Sequence, residues 1–193
     1  VNQTDLETYL RSVVSSEMHP GFPSAALRAQ AIAARTKALS SLQGSPSHNS
    51  APFDVCATVH CQVYSGMEKE FKSTDLAVIE TTGQAGTVAG RLVNLVYTGV
   101  CGGHTENNEI AWDGRPQSHL RGVFDGAGSR DALKDFLTRE SFVRKWVAQT
   151  APANCNTLKK SLPDAFNYAK KYYRWRQKKS RAQLESSIKK VAK

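Results

Sequence analysis

No run of apolar residues in this 193-residue chain is long enough to span a membrane. Nor does it start with an export signal; it opens on a capped helix, as a mature or trimmed fragment would. The chain also lacks a phosphate-binding Gly-Lys motif, a dinucleotide fingerprint and a Ser-His-Asp order. Nucleotide-dependent chemistry and triad hydrolysis therefore have no support in it. Acidic residues are scarce at one end. Residues 159–193 hold 12 of the 26 Lys and Arg but two of the 17 Asp and Glu, a net of +10. Residues 1–158 are close to neutral, at −1, and the formal total is +9. A basic tail suggests an anionic partner such as a wall polymer or a lipid surface. No recognition motif accompanies the charge, which argues against nucleic acid.

What is present fits one globular core with an appendage: residues 1–158, then a basic strand-helix extension over 159–193, long enough together to bury a real core. Thr4-Asp5-Leu6-Glu7 has the form of a capping box, so a helix is expected to start at Asp5. Leu6, Leu10, Val13 and Val14 fall on one of its faces. Pro20 and Gly21 stop it within a turn of Glu17. A carboxylate at that end faces the negative pole of the helix dipole, an effect of about 0.3–1 kcal/mol at an exposed site. Burial has to supply the rest if Glu17 is to donate a proton near neutrality. A second helix, from about Ser24 to Leu42, carries an apolar stripe of Leu27, Ala31, Ala34, Ala38 and Leu42. Its flanks are nearly all alanine, so neighbours can approach on several sides. Gln30 and Arg35 are its polar interruptions.

Further along, Thr74 is expected to cap a short helix over Asp75–Glu80 that Gly83 ends. Residues 87–89 and 92–97 read as a hairpin turning at Gly90. In the tail, Tyr172-Tyr173-Arg174-Trp175-Arg176 reads as a short strand. Ser180 is placed to cap a helix carrying Leu184, Ile188 and Val191. Between these elements lie His48, Cys56, His60 and Cys61. Two cysteines five apart with two nearby histidines could converge on a tetrahedral zinc; a Cys56–Cys61 disulfide and free thiols are the alternatives. Cys101 and Cys155 could form a second bridge, which the sequence alone leaves open.

The order Tyr9-Leu10, Val13-Val14, Glu17-Met18, Phe22-Pro23, Ala29-Gln30-Ala31 and Ala33-Ala34-Arg35-Thr36 resembles the SpoIID/LytB family, the stage II sporulation protein D group. That family's pattern has Trp, Glu and Tyr where this chain has Phe22, Ser24 and Lys37. A later block, a strand ending in Tyr97 and then Cys101-Gly102-Gly103-His104-Thr105 with Trp112 downstream, is similar too. The resemblance implies an α+β fold, helices packed around small antiparallel sheets, with the Ala-rich helix walling a cleft. It implies a peptidoglycan lytic transglycosylase, a carbon–oxygen lyase acting in sporulation. Such an enzyme cuts the bond from N-acetylmuramic acid to N-acetylglucosamine, preferring strands stripped of peptides, and leaves 1,6-anhydro ends. Glu17 would be its single acid/base. Gln30, Arg35, Gln62, Tyr64, Tyr97, Gly102, Gly103, His104 and Thr105 would contact substrate. Many members carry the His/Cys cluster, which implies structural zinc on His48, Cys56, His60 and Cys61, with no cofactor needed for catalysis. The expected partners are glycan strands and an N-acetylmuramoyl-L-alanine amidase, which a non-catalytic member would enhance. The expected place is the cell envelope, with a membrane anchor outside this segment. Ordinary glycoside hydrolysis needs a second carboxylate, for which Glu106, Glu109 and Asp113 are the candidates.

Overall fold

The computed structural model describes residues 2–44, 48, 51–112, 114–126, 139–149, 153–156, 171–174 and 176–191. Three helices form the centre: α1 Leu6–Glu17, α2 Ser24–Gly44 and α3 Lys72–Glu80. α1 begins one residue later than the capping-box reading. Asp5, not Thr4, is the N-cap, and its carboxylate accepts from the Thr8 N–H at 3.0 Å and the Thr8 hydroxyl at 2.7 Å. Those bonds hold the Asp5 carboxyl below its ordinary range, as expected where an anion satisfies orphan N–H groups. α1 ends at Glu17, with Met18 as its C-cap. After a tight turn over His19–Phe22, the Pro23 carbonyl accepts the first α2 amides, those of Ala26 and Leu27.

Leu10, Val13 and Val14 of α1 pack on Ala31 and Ala34 of α2 and on Val78 of α3. The expected face of α1 is thus the buried one, and alanine on α2 lets both neighbours come close. The α2 stripe holds through Ala38 and fails at Leu42, which is 54% exposed. α3 starts earlier than Thr74. Phe71 is its N-cap and makes no side-chain bond there, while Thr74 lies inside the first turn, buried, with its hydroxyl donating to the Phe71 carbonyl at 2.7 Å.

The only strand pair among the described residues is an antiparallel hairpin, β1 Thr87–Val88 and β2 Arg91–Leu92, with Thr87 opposite Leu92. Ala89 (φ 49°) and Gly90 (φ 76°) make the two-residue turn with positive φ at both positions. The ladder ends at Leu92, so residues 93–97 run on without the strand expected of them. Thr36 of α2 anchors the hairpin by accepting the Gly86 N–H at 2.8 Å. Beyond it come α4 Asn108–Trp112, α5 Glu140–Ala148 and α6 Arg181–Val191. The mixed helices and small antiparallel sheet make an α+β chain. No helix among the described residues is long and apolar enough to cross a membrane.

The tail differs from its reading at one point. Residues 171–173 are helical rather than extended, and Tyr173 is buried. Ser180 does cap α6: its hydroxyl accepts from the Gln183 N–H at 3.3 Å while the Gln183 side chain accepts the Ser180 N–H at 2.9 Å. Leu184 and Ile188 on α6 are exposed. Trp175 and the expected boundary at 158/159 lie outside the described residues.

Arg35 ties the three central helices together. It is 1% exposed, and all five of its N–H donors are taken. Nε and Nη2 make a forked pair with Glu7 of α1 at 2.9 and 2.7 Å. Nη2 also reaches the Val78 carbonyl at 3.1 Å, and Nη1 reaches the Thr81 hydroxyl and the Gln84 carbonyl at 3.3 and 3.1 Å. The last carbonyls of α3 thereby gain the partner that a helix end lacks. Arg35→Ala strands these acceptors and the Glu7 charge. It should cost about 3–5 kcal/mol, the usual consequence of halving a buried ion pair, read as a lower urea midpoint. Arg35→Lys should recover less than half of that loss, because an ammonium has no fork.

Candidate functional site

The 57–65 segment lies along α1 and brings the site together. Ser65 N–H donates to the Ser12 hydroxyl at 3.2 Å, and the Ser16 and Ser65 hydroxyls meet at 3.0 Å. Between these points the Val63 N–H donates to Glu17 Oε1 at 2.8 Å. Glu17 is half-buried at the end of α1. Gln62 is buried; its Nε2 donates to the Tyr97 hydroxyl at 3.3 Å, and its Oε1 accepts from the Tyr9 hydroxyl at 3.5 Å. Tyr9 stacks on Tyr64 with ring centroids 5.4 Å apart. Gln30 is 6% exposed, and its Nε2 is a buried donor with no hydrogen-bond partner. The structure thus gathers Glu17, Gln30, Gln62, Tyr64 and Tyr97, together with Tyr9, which the residue-role reading left out. In the sequence Tyr9 figures only as part of the Tyr9-Leu10 pair of the family pattern, without a role of its own.

Electrostatics agree with that grouping. Burial pushes the Tyr97 phenol up to about 12; the Gln62 hydrogen bond works against the shift, and the Glu17 charge adds to it. Burial also raises the Tyr9 phenol, helped by Cys61, Tyr97, Cys56 and Glu17. Tyr9 therefore feels both Glu17 and the cysteines of the 56–61 loop.

Those cysteines belong to a four-residue cluster. His48, Cys56, His60 and Cys61 present one ligand atom each, all within 4.8 Å of one another. His48 Nε2 lies 3.2 Å from Cys61 Sγ, and His60 Nδ1 lies 3.6 and 3.7 Å from Cys61 and Cys56 Sγ. Cys56 and Cys61 are free thiols, not a disulfide. The turn that lets neighbours His60 and Cys61 face one point is closed by Cys61 N–H donating to the Thr58 carbonyl at 3.1 Å. The cluster could hold a metal ion. Next to it, a groove of about 640 Å³ is lined by Leu6, Tyr9, Ala38, Phe53, Cys56 and Tyr64, among others. Ala38 brings α2 to its wall, but Glu17 is not among the lining residues.

Other expected site residues go elsewhere. Arg35 does not face Glu17; its donors are all committed to Glu7 and the end of α3. Gly102 and Gly103 adopt positive φ, 67° and 97°. The space a ligand would need over Gly103 is filled, since a Cβ there would meet Trp146 at 2.8 Å and the Tyr173 hydroxyl at 3.0 Å. His104 bridges to Phe124 and holds the Thr105 carbonyl at 2.6 Å with its ring; Thr105 N–H donates to the Val123 carbonyl at 2.9 Å. Among the described residues no hydrogen bond joins Gly102, Gly103, His104 or Thr105 to Glu17. Of the candidate second carboxylates, Glu109 is paired with Arg121, whose hydrogen bonds hold it down to about 2. Glu106 caps its neighbour, accepting the Asn107 N–H at 2.8 Å. Asp113 lies outside the described residues.

With this geometry in place, comparison with known proteins gives a match over the first part of the chain. Residues 1–87 match the model described as SpoIID, stage II sporulation protein, so the chain carries a SpoIID segment there. That stretch holds Glu17, Gln30, Gln62 and the His/Cys cluster. An uncharacterized protein of Brachyspira hyodysenteriae is 38% identical over 109 residues, which covers 56% of this chain and 29% of the relative. The chain thus spans less than a third of that curated relative's length.

The Tyr97 shift predicts a pH effect. An unfolded phenol titrates near 10, so the neutral hydroxyl contributes its full stability below that pH. The contribution is lost as pH rises through 10 towards 12. Urea midpoints at pH 9 and pH 11 should differ more for the wild type than for Tyr97→Phe. Equal differences would mean that the phenol is not held neutral by the fold.

Proposed function

We propose that the protein is a peptidoglycan lytic transglycosylase of the cell envelope, with Glu17 as its single acid and base. One observation carries the reading: a lone half-buried carboxylate sits among uncharged side chains. The Val63 amide holds one of its oxygens, and Gln30, Gln62 and Tyr97 are close by. Among the described residues no second carboxylate is hydrogen-bonded into that group. Hydrolysis by the usual route needs two carboxyl groups several ångströms apart; a transglycosylase needs one. The SpoIID match supports a wall-directed role tied to sporulation.

As the acid, Glu17 gives its proton to the bridging oxygen as the bond to the anomeric carbon breaks. The resulting carboxylate takes the proton of the sugar's own 6-hydroxyl, whose oxygen attacks the anomeric carbon. A 1,6-anhydro ring closes, the proton returns to Glu17 and no water enters. Such shuttling by one positioned group is general acid–base catalysis. The Val63 N–H steadies the carboxylate formed halfway, and it stays in place through both steps because it belongs to the backbone.

The His/Cys cluster suits zinc. A tetrahedral zinc with sulfur ligands near 2.3 Å and nitrogen near 2.0–2.1 Å separates unlike ligand atoms by about 3.6 Å, close to the recorded 3.2–3.7 Å. His48, Cys56, His60 and Cys61 would hold it. With four protein ligands the ion cross-links the loop and leaves no position for a water, so its role is structural. Purified protein should then carry about one zinc equivalent, and Cys61→Ser should lose it together with thermal stability. A full complement of zinc in that variant would rule out this ligand set.

Glu17→Gln keeps the shape and removes the transferable proton. Cleavage of peptide-free glycan should drop by at least about 100-fold, the scale of general acid–base catalysis, with folding and glycan binding retained. Product masses test the route. Anhydro ends, lighter by one water, should dominate the wild-type digest. Reducing ends would make the protein a hydrolase with another carboxylate to find. Intact glycan together with faster turnover by an added N-acetylmuramoyl-L-alanine amidase would make it an amidase enhancer.

A further inference from the structure

Away from Glu17 and the His/Cys cluster, two more cysteines meet beside the Gly102–Gly103 turn. Cys101 Sγ and Cys155 Sγ lie 3.4 Å apart although 54 positions separate them in sequence. One side chain holds both. Asp125 Oδ2 accepts from the Cys101 thiol at 3.3 Å and from the Cys155 N–H at 2.9 Å, while Oδ1 accepts from the Asn154 side chain at 3.1 Å. The Asp125 backbone is fixed in turn. Its N–H donates to the Gly103 carbonyl at 3.0 Å, and its carbonyl accepts the Asn154 N–H at 2.7 Å. Buried Ala153 and Tyr173 close the site, and Arg174 covers the turn by donating to the Gly102 carbonyl at 2.6 Å. Two sulfurs in van der Waals contact need to move only about 1.4 Å closer to reach the bonded distance of about 2.05 Å.

We propose that Cys101 and Cys155 form a disulfide that pins residues 153–156 to the Gly102–Gly103 turn. The bond forms by exchange with a disulfide oxidant. One cysteine, as thiolate, attacks an oxidant sulfur and expels its partner as a thiol. The second cysteine then attacks the mixed disulfide and expels the other oxidant sulfur. The two cysteines are oxidised by two electrons, their protons end on the expelled sulfurs, and the oxidant leaves as two thiols. A metal ion is the competing occupant, since Asp125 could act as a third ligand. Burial pushes the Cys101 thiol up to about 12 and raises that of Cys155. Two sulfurs and one carboxylate make three donors, one short of a closed tetrahedral site. The Cys56 and Cys61 sulfurs differ in each facing an imidazole. The pairing does not depend on Glu17 being an acid, so the two proposals stand or fall separately.

The test uses the full chain treated with oxidised glutathione, blocked with N-ethylmaleimide and digested without reductant. Mass mapping should find the Cys101 and Cys155 peptides joined, two hydrogens lighter than their sum, and Cys101→Ser should remove that species. Reductant should lower the wild-type Tm by about 5–15 °C, the range expected for a bridge closing a long loop in a chain of this size. It should leave the Cys101→Ser/Cys155→Ser double variant with a much smaller change. Recovery of Cys101 and Cys155 as separate maleimide or glutathione adducts would overturn the proposal. So would a Cys101 link to Cys56 or Cys61, or a metal equivalent in oxidant-free protein that Cys101→Ser abolishes. The map is made on wild-type protein, so a variant that fails to fold does not spoil it.

Discussion

Burial of the Arg35 guanidinium is the constraint on which the rest of the molecule depends. Taking a cation out of water costs several kcal/mol even after relaxation, and one ion pair seldom repays it. Here every donor has an acceptor, and the acceptors come from three places: the Glu7 carboxylate of α1, the end of α3 and the residues leading to the hairpin. A planar fork with five donors satisfies that arrangement; an ammonium does not. Fixing α1 against α2 and α3 fixes the end of α1, where Glu17 sits, relative to Gln30 on α2. Arg35 thus contributes to the site without touching it.

Much of this was legible from residue order. The buried face of α1, the turn at Pro20-Gly21, the Ala-rich helix and the convergence of His48, Cys56, His60 and Cys61 all follow from local periodicity, turn chemistry or ligand type. The failures are of two kinds. Arg35 lies five residues, about one and a half helical turns, from Gln30 in an apolar stretch, and nothing in the sequence says that Glu7, 28 positions away, will claim it. Thr74 looks like a cap because threonine often is one, yet its hydroxyl bonds backward to Phe71 inside the first turn. The Asp5 offset is a choice between two adjacent capping residues, and it is the Asp5 carboxylate that makes the bonds to Thr8. Tyr172 and Tyr173 have strand-forming side chains, but residues 171–173 are helical and bury Tyr173. The Arg35 and Tyr173 misses turn on long-range partners that local propensity cannot register, whereas the Asp5 and Thr74 offsets are decided within one helical turn.

The glycine pair shows why a motif and its purpose differ. Gly102 and Gly103 need positive φ, and the lack of a side chain at Gly103 lets Trp146 and Tyr173 close over it. The same property that would admit a ligand admits an aromatic ring from the same chain. Arg174 completes the cover, its guanidinium 4.2 Å from the Tyr173 ring centre and 5.7 Å from that of Trp146, close enough for cation–π attraction. Some of the basic tail's charge is accordingly structural, whereas Arg176, Lys178 and Lys179 remain exposed.

The loop from Cys56 to Ser65 joins the remaining parts. Its first half carries three of the four cluster ligands and its second half the amide that holds Glu17, with Gln62 between them. Only Gln62 separates Cys61 from Val63, a span too short for flexible chain to absorb a displacement. A loop of this kind has few apolar side chains to hold it: Thr58, Val59 and His60 are exposed. The Val63 N–H is kept at 2.8 Å from the carboxylate by its neighbours: Gln62 bonded to Tyr9 and Tyr97, Tyr64 stacked on Tyr9, and Ser65 bonded to Ser12 and Ser16. Cross-linking at the cluster would stiffen one anchor without entering the chemistry. On the proposed zinc reading, a change at the cluster is carried to the Glu17 carboxylate through Gln62 and the Val63 amide.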